Sequence, residues 1–557
     1  MKHFFNRREN IVTEALDGLL LTSSNGRLAR LDSFPEIKVI LRADWDRSKV
    51  AIISGGGAGH EPSHAGFVGK GMLTAAVSGE IFASPSVDAV LTAIRAVAGP
   101  KGALLIVKNY TGDRLNFGLA AEKGRAEGFD VEMVIVADDI ALPEINQPRG
   151  VAGTLFVHKI AGYHAERGED LETVAAHARS AAGDIVSLGM SLSTCSVPGQ
   201  AHEDRLGADE GELGLGIHGE PGAERITLRP VADFVAAIAV RLSATLKGAE
   251  DHALLINNLG AVPPLEMAVI ANAVLSSSLA DRVRLIIGPA PMMTALNMNG
   301  FSLSLIRLDA GREAALTAVV EPHAWMPVVA RHEIEIIAAP RAATGLNAAA
   351  AGTNGQALVG EDNRIRRLIT ALCEHLISLE NELNRLDGRV GDGDTGSTVA
   401  TGARSVLARL DTLPLDRPAA TLAALGDILG TSMGGSSGVL LSIFFTAAAK
   451  AMTDKDDIPA ALLAGLDRMT FYGGAGVGDR TMVDALAPAL QALASGDISA
   501  AARAAASGAE STKAMVKARA GRASYVGERD LAGVADPGAV AVAGAFGVAA
   551  RFATGMA

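Results

Sequence analysis

Asp387, Asp392 and Asp394 stand within eight residues, in "LDGRVGDGDTGSTVATG", where a leucine-patterned helical stretch runs into a glycine-rich turn. Glycines let a backbone fold tightly enough for several carboxylates to converge on one point. Three clustered carboxylates with no His or Cys beside them favour a hard cation, Mg2+ before Zn2+. A calcium loop fails on spacing: counted from Asp392, the position for the bidentate Glu is Ala403, and counted from Asp387 the third position is Arg389. Two glycine loops follow, "MGGSSG" (Met433 to Gly438) and "GGAGVGDRTMVDAL" (Gly473 to Leu486), each opening a helical stretch. Singly, each reads as a tight interhelical turn. Beside the acidic loop, their amides and hydroxyls point to phosphate at helix N-termini. No G-x-x-x-x-G-K-[ST] occurs, so a nucleotide held here needs an unrelated helical fold and an aspartate-held metal.

A second constellation lies nearer the N-terminus. "IISGGGAGHEPSHAGFVGKG" follows an apolar run directly and carries His60 at the end of its glycine loop; "VKNYTGDRLNFG" sets Lys108 and Asp113 just beyond another such run. Open α/β sheets bind ligands outside the carboxyl ends of their strands, which makes His60, Lys108 and Asp113 neighbours across one crevice. A third stretch, "GELGLGIHGEPG", matches G-x-G-x-x-G through Gly214, Gly216 and Gly219 and also carries His218. A dinucleotide loop requires a buried strand before it, but "EDRLGADEGEL" precedes Gly214. Asp233, about 20 residues on as that fingerprint would want, lies in a helical pattern.

The elements that must position these residues follow from the rest of the chain. At 557 residues, two or three domains are expected. Apolar residues make up 49% and charged residues 20%, a globular balance. The net charge of -12, with both signs interspersed, argues against nucleic acid as a partner. Cys195 and Cys373 lie far apart, outside any metal-ligand spacing. No secretory signal and no segment of about 20 apolar residues is expected, and the chain reads as cytoplasmic, with no membrane partner. Strands are expected at Val50, Ala103, Val131, Ala253, Arg284 and Glu333 ("EIEIIA"), in sheets covered on both faces, with "AHEDRLGADEGE" dividing two subdomains. "PRAATGLNAAAAGTNGQ" reads as a linker, and from Glu361 onward the apolar residues recur at helical spacing. The expected architecture is multidomain α/β plus all-α: an α/β domain of two subdomains over 1–338, a linker over 339–358 and an all-helical domain over 359–557.

"GGGAGHEPSHAGFVGKGMLTAAVSGEIFASPS", "VKNYTGDRLNFG", "GLGIHGEPG", "LDGRVGDGDTGST", "MGGSSG" and "GDRTMVDAL" resemble the dihydroxyacetone kinase family in its single-chain, ATP-dependent arrangement. The likeness spans essentially the whole chain, and its motifs are long and ordered. It implies a substrate domain followed by a nucleotide domain, with a small ketose, ATP and Mg2+ as ligands and a homodimeric assembly. It implies a hemiaminal between His218 and the ketone carbon, with Gly57, Ala58, Gly59, His60, Lys108 and Asp113 around the substrate. Asp113 would take the proton of the attacking hydroxyl, with His60 orienting it. Asp387, Asp392 and Asp394 match the magnesium ligands. Thr395, Gly396, Ser397, Thr398, Ser436, Ser437, Gly473, Asp536, Pro537 and Gly538 match nucleotide-contacting stretches. The glycines around His218 then relieve crowding near an imidazole that approaches a small ketone. Ala58 stands where the family commonly has Ser, and Ala137 where it usually has Gly. The same motifs suit a four-carbon ketose such as erythrulose, and animal members also act as FMN-forming lyases on FAD. A non-catalytic regulator could dispense with His218 or the acidic loop, and both are intact.

Overall fold

Uninterrupted apolar runs become central strands, because a strand covered on both faces has no solvent side to keep polar. The computed structural model describes residues 3–23, 27–144, 146–200, 205–246, 248, 250–339, 361–454, 457–519, 527 and 531–555. By contacts between residues the chain divides into Met1–Ile336 and Ile337–Ala557. The expected linker lies outside the described residues, apart from residue 339.

Among the described residues the first unit holds two mixed sheets. In the first, β1 (Leu28–Arg30), β2 (Lys38–Arg42), β3 (Ala51–Ala58), β4 (Ala75–Ile81), β5 (Ala103–Lys108) and β6 (Val131–Val136) are ordered β1-β2-β4-β3-β5-β6. β3 and β5 are buried throughout and pair in parallel. Their carboxyl ends therefore lie side by side, which brings the His60 loop next to Lys108 and to Asp113, on the first turn of helix Thr111–Ala126.

The second sheet takes β7 (Ile185–Ser191), β8 (Glu210–Leu213), β9 (Glu224–Thr227), β10 (His252–Asn258), β11 (Val283–Ala290), β12 (Gly300–Arg307) and β13 (Val328–Ala330) in the order β13-β11-β10-β12-β7-β8-β9. β8 and β9 form an antiparallel hairpin whose loop carries His218. Helix Thr154–Glu166 is buried along almost its whole length, and its Leu155, Phe156 and Ile160 join Ile52 and Leu104 of the first sheet to Leu255 and Ile287 of the second in one core. Complete burial of a side chain such as Phe156 stabilises by about 1.5–3 kcal/mol, so this shared core holds the two sheets together.

Two expectations need correction. The second sheet begins at Ile185, after helices Thr154–Glu166 and Leu171–Gly183, so the division between subdomains precedes "AHEDRLGADEGE". "EIEIIA" is not a strand: β13 ends at Ala330, pairing only with Leu285–Ile287, and Ile334, Ile336 and Ile337 are exposed. An apolar run without a neighbouring strand has nothing to satisfy its backbone.

In the second unit no strand occurs among the described residues. Its helices are Glu361–Ser378, Glu380–Asp387, Thr395–Ala408, Pro418–Ser432, Gly435–Asp454, Ile458–Gly473, Val483–Leu493, Ile498–Ser511 and Pro537–Ala553. Asp457, Asp497 and Asp536 each cap a helix by accepting the N–H three residues on. Among the described residues one helix, Gly435–Met452 (mean hydropathy 1.3), is long and apolar enough to cross a membrane by length and composition alone. Here it packs against helices Pro418–Ser432 and Ile458–Gly473.

Candidate active site

In the first unit the site is assembled from both sheets. Segment 292–297 clasps the His60 loop: the N–H of Thr294 donates to His60 O at 3.2 Å, and that of Leu296 donates to Gly59 O at 2.8 Å. Both carboxylate oxygens of Glu61 accept the N–H of Gly59. His60 is fully buried, with Nδ1 2.7 Å from the carbonyl of Thr294. A carbonyl only accepts, so Nδ1 carries the proton and Nε2 keeps a lone pair; Nε2 is buried with no partner. Burial, then the charges of Lys108 and His218, hold the His60 imidazole well below its usual range, and it stays neutral at pH 7.

Lys108 Nζ and Asp113 Oδ1 are likewise buried without hydrogen-bond partners. A methyl group placed on Gly56 would lie 3.4 Å from Lys108 Nζ and 3.7 Å from Asp113 Oδ2, so both side chains converge on one face of β3. Burial pulls the Lys108 ammonium down, opposed by Asp113, Glu220 and Glu61. Unpaired buried polar atoms are costly in a native structure, and His60 Nε2, Lys108 Nζ and Asp113 Oδ1, all at or just beyond the carboxyl ends of β3 and β5, mark a place suited to a polar ligand.

His218 reaches this place from the hairpin loop. Its ring centroid lies 5.0 Å from that of His60, 5.2 Å from Phe82 and 4.4 Å from Tyr110. Glu220 holds it twice: Nδ1 is 3.2 Å from Oε1, and the backbone N–H donates to Oε2 at 3.0 Å. Burial opposes the charge on Glu220, but the hydrogen bond and charge of His218 prevail and hold its carboxyl at about 2. An ionised carboxylate has no proton to give, so Nδ1 is the donor, and in the neutral imidazole this tautomer leaves the lone pair on Nε2.

Two glycines of the His60 loop make room for a neighbouring segment of the chain. A methyl on Gly59 (φ 101°) would meet Phe82 Cε1 at 2.8 Å, and one on Gly57 would meet Ala83 N at 2.6 Å. They admit the Phe82–Ala83 segment, whose ring then packs on His60 and His218. Ala58 is buried and accepts the N–H of Phe82 through its carbonyl.

In the helical unit the acidic loop is organised by Asp387. Its Oδ2 accepts the N–H groups of Gly393, Asp394 and Thr395 at 3.0, 3.0 and 3.2 Å, turning the chain back on itself. Carboxylate oxygens of Asp387, Asp392 and Asp394 thereby come within 4.8 Å of one another. An all-oxygen set at this spacing fits Mg2+. These residues open onto a cavity of about 740 Å3, also lined by Thr395, Thr398, Ser436, Ser437, Gly473, Asp536, Pro537 and Gly538. Leu440, Ile443, Met469 and Tyr472 add an apolar wall. Such a mixture suits a nucleotide, with phosphates at the acidic end and a base against the wall. Burial raises the Asp536 carboxyl to about 6.

Gly396 and Ser397 do not line the cavity. Ser397 exchanges two hydrogen bonds with Asn384, and a methyl on Gly396 would meet Asn384 Oδ1 at 2.7 Å, so both fix helix Thr395–Ala408 against helix Glu380–Asp387. Sequence reasoning also passed over Glu220, Tyr110, Phe82 and Thr294 in the first unit, and Arg480 and Asp484 in the second. Arg480 lines the cavity with Nε and Nη1 unpaired, while Asp484 accepts the N–H groups of Gly478 and Thr481. Glu220, Arg480 and Asp484 lie inside stretches already singled out; a carboxylate two residues after a histidine was the available signal.

Residues 21–324 match the Dak1 domain and residues 389–550 the DAK2 domain. Over 535 residues the chain is 50% identical to the dihydroxyacetone kinase of Citrobacter freundii, covering 95% of each. Over 565 residues it is 42% identical to the triokinase/FMN cyclase of Mus musculus, again covering 95% of each. The crystal structure of the C. freundii dihydroxyacetone kinase in complex with AMP-PNP and Mg2+ aligns with a TM-score of 0.73 at 47% identity, covering 99% of both chains. Fold and matches define a two-domain class in which an α/β Dak1 unit precedes a helical DAK2 unit. The chain belongs to the dihydroxyacetone kinase family.

Proposed function

We propose that this protein transfers the terminal phosphoryl group of ATP to dihydroxyacetone, and that it holds the ketose as a hemiaminal on His218. The observation that carries the reading is the pairing of His218 Nδ1 with Glu220 beside the unpartnered His60 Nε2, Lys108 Nζ and Asp113 Oδ1. Dihydroxyacetone offers a carbonyl carbon to the first and oxygens to the others. Two relatives carry the same name or a related activity in theirs, and the aligned C. freundii structure binds AMP-PNP and Mg2+.

His218 Nε2 adds to the ketone carbon as the C=O π bond opens. The former carbonyl oxygen takes up one proton and Nδ1 gives one up toward Glu220, so the adduct is neutral. A plain alcohol such as glycerol has no carbon to capture. Asp113 Oδ1 accepts the proton of the terminal hydroxyl as that oxygen attacks the γ-phosphorus of ATP, and His60 Nε2 accepts a hydrogen bond from the substrate that fixes the hydroxyl arm. In the helical unit Asp387, Asp392 and Asp394 would hold Mg2+, which when bound neutralises phosphate charge. Ser436 and Ser437, in the first turn of helix Gly435–Asp454, present hydroxyls and amides to the phosphates. The proposal includes cytoplasmic location and a homodimer, the latter tested by light scattering on the purified chain.

The test is an ADP-release assay with dihydroxyacetone, erythrulose and glycerol. The reading expects highest efficiency on dihydroxyacetone and none on glycerol; a much higher efficiency on erythrulose would replace the substrate, and turnover of glycerol would remove the carbonyl capture.

A further inference from the structure

Outside both halves of the proposed site, the first unit gathers a second set of potential ligands, and the geometry points to a Zn2+-binding site formed by His164, Glu169 and His177. His164 lies in the last turn of helix Thr154–Glu166, Glu169 in the turn that follows, and His177 on the next helix, Leu171–Gly183. One ligand atom from each lies within 4.8 Å of the others. His164 Nδ1 is 2.9 and 2.8 Å from the two oxygens of Glu169, and His177 Nε2 is 3.9 Å from Oε2. The two imidazoles lie face to face, with centroids 3.6 Å apart and planes at 6°.

Two imidazoles and one carboxylate form a borderline donor set that suits Zn2+ and leaves one position for water. It differs in kind from the all-oxygen aspartate cluster of the helical unit. Around a tetrahedral ion with ligand bonds of about 2.1 Å, neighbouring ligand atoms stand about 3.4 Å apart. The His164–Glu169 contact has to open by about 0.5 Å and the His177–Glu169 contact to close by about as much. His177 must also turn out of the stack, since a metal is bound in the plane of the ring. Its side chain is 46% exposed and has room to do so, while His164 is 10% exposed and fixed. Arg167, with Nε 3.6 Å from Glu169 Oε1, is the cation that Zn2+ displaces from the carboxylate.

The ion would staple the carboxyl end of helix Thr154–Glu166 to helix Leu171–Gly183. The first of these helices fills the core between the two sheets and carries His158, whose Nε2 lies 3.1 Å from Ser54 Oγ on β3. Zn2+ therefore acts here as a stabiliser of the substrate unit, and the inference stands apart from the ketose reading.

The test uses the full chain, stripped of metal and titrated with Zn2+ by calorimetry in excess Mg2+, which occupies the oxygen site. The wild type is expected to take up one equivalent and to melt at a higher temperature with Zn2+ than without. His177→Ala, at a half-exposed position that leaves the fold intact by circular dichroism, loses both effects. Glu169→Gln weakens binding about tenfold or more, and His332→Ala, at an exposed position elsewhere, changes neither effect. No uptake by the wild type, or undiminished uptake and melting shift in His177→Ala, overturns the site.

Discussion

His218 and Glu220 are bound to each other twice, side chain to side chain at 3.2 Å and backbone N–H to carboxylate at 3.0 Å. A single residue separates them, so the loop that exposes the imidazole also fixes which of its nitrogens bears the proton. Arg149 buttresses the loop from below, donating to Gly214 O and to Asp139.

Glu220→Gln tests that relationship. The amide can turn either its oxygen or its NH2 to Nδ1, so the tautomer is no longer imposed. Loss of about 10²-fold or more in kcat/KM for dihydroxyacetone is expected, with AMP-PNP affinity unchanged. Glu220→Asp should recover part of the loss; equal loss in Asp and Gln would mean that the carboxylate serves only the fold of the loop.

His218→Ala removes the carbonyl anchor while leaving the helical unit untouched. Phosphorylation of dihydroxyacetone should vanish, and calorimetric binding of AMP-PNP with Mg2+ should persist. Any FMN-forming activity on FAD should also survive, as it would use the nucleotide cavity alone. Retained ketose phosphorylation at the wild-type rate would contradict the role given to His218.

Asp387 has two duties, and substitution separates them. Removing its carboxylate leaves three N–H groups without an acceptor, so Asp387→Ala should destabilise the protein by about 1–3 kcal/mol and lose Mg2+-dependent nucleotide binding. Asp392→Asn should weaken Mg2+ dependence with a smaller fall in melting temperature. Equal melting temperatures for both variants would contradict the loop-organising role.

Asp138 gives the pH dependence a definite sign. It is buried, accepts the N–H groups of Val151 and Gly153 and the hydroxyl of Ser187, and burial raises its carboxyl to about 6 from 3.8. Because the folded pKa is the higher one, the folded state binds the proton more tightly. This group's contribution is therefore present below about 4 and is lost as pH rises through 6, by about 3 kcal/mol. Chemical denaturation of Asp138→Asn between pH 4.5 and 6.5 should show a slope of stability against pH shifted upward relative to wild type, although the variant is less stable throughout. Identical slopes would mean that Asp138 is ionised at little cost.

The parts of the molecule legible in sequence are those where one residue type does one job over a short span. The fully buried β3, β5 and β10 announce themselves as apolar runs, and the convergence of Asp387, Asp392 and Asp394 follows from the glycines between them. The Dak1 and DAK2 matches fall on stretches that already carried the family's motifs. What was hidden depends on long-range pairing. "EIEIIA" has a strand's composition but no partner strand. The division between the sheets is marked by no shift in composition, because helix Thr154–Glu166 serves both. The grip of Thr294 on His60 spans 234 residues, and nothing local predicts it. Gly57 and Gly59 stand in the sequence as members of a glycine loop, but the segment they make room for, Phe82–Ala83, is visible only in three dimensions.

The central claim is covalent capture by His218, and a crystal structure of the protein grown with dihydroxyacetone and without nucleotide tests it most directly. The account predicts continuous density from His218 Nε2 to a tetrahedral carbon, with Nδ1 still on Glu220 and the ligand's oxygens replacing the missing partners of His60, Lys108 and Asp113. A planar ketone lying in van der Waals contact with His218, with no bond to Nε2, would contradict it.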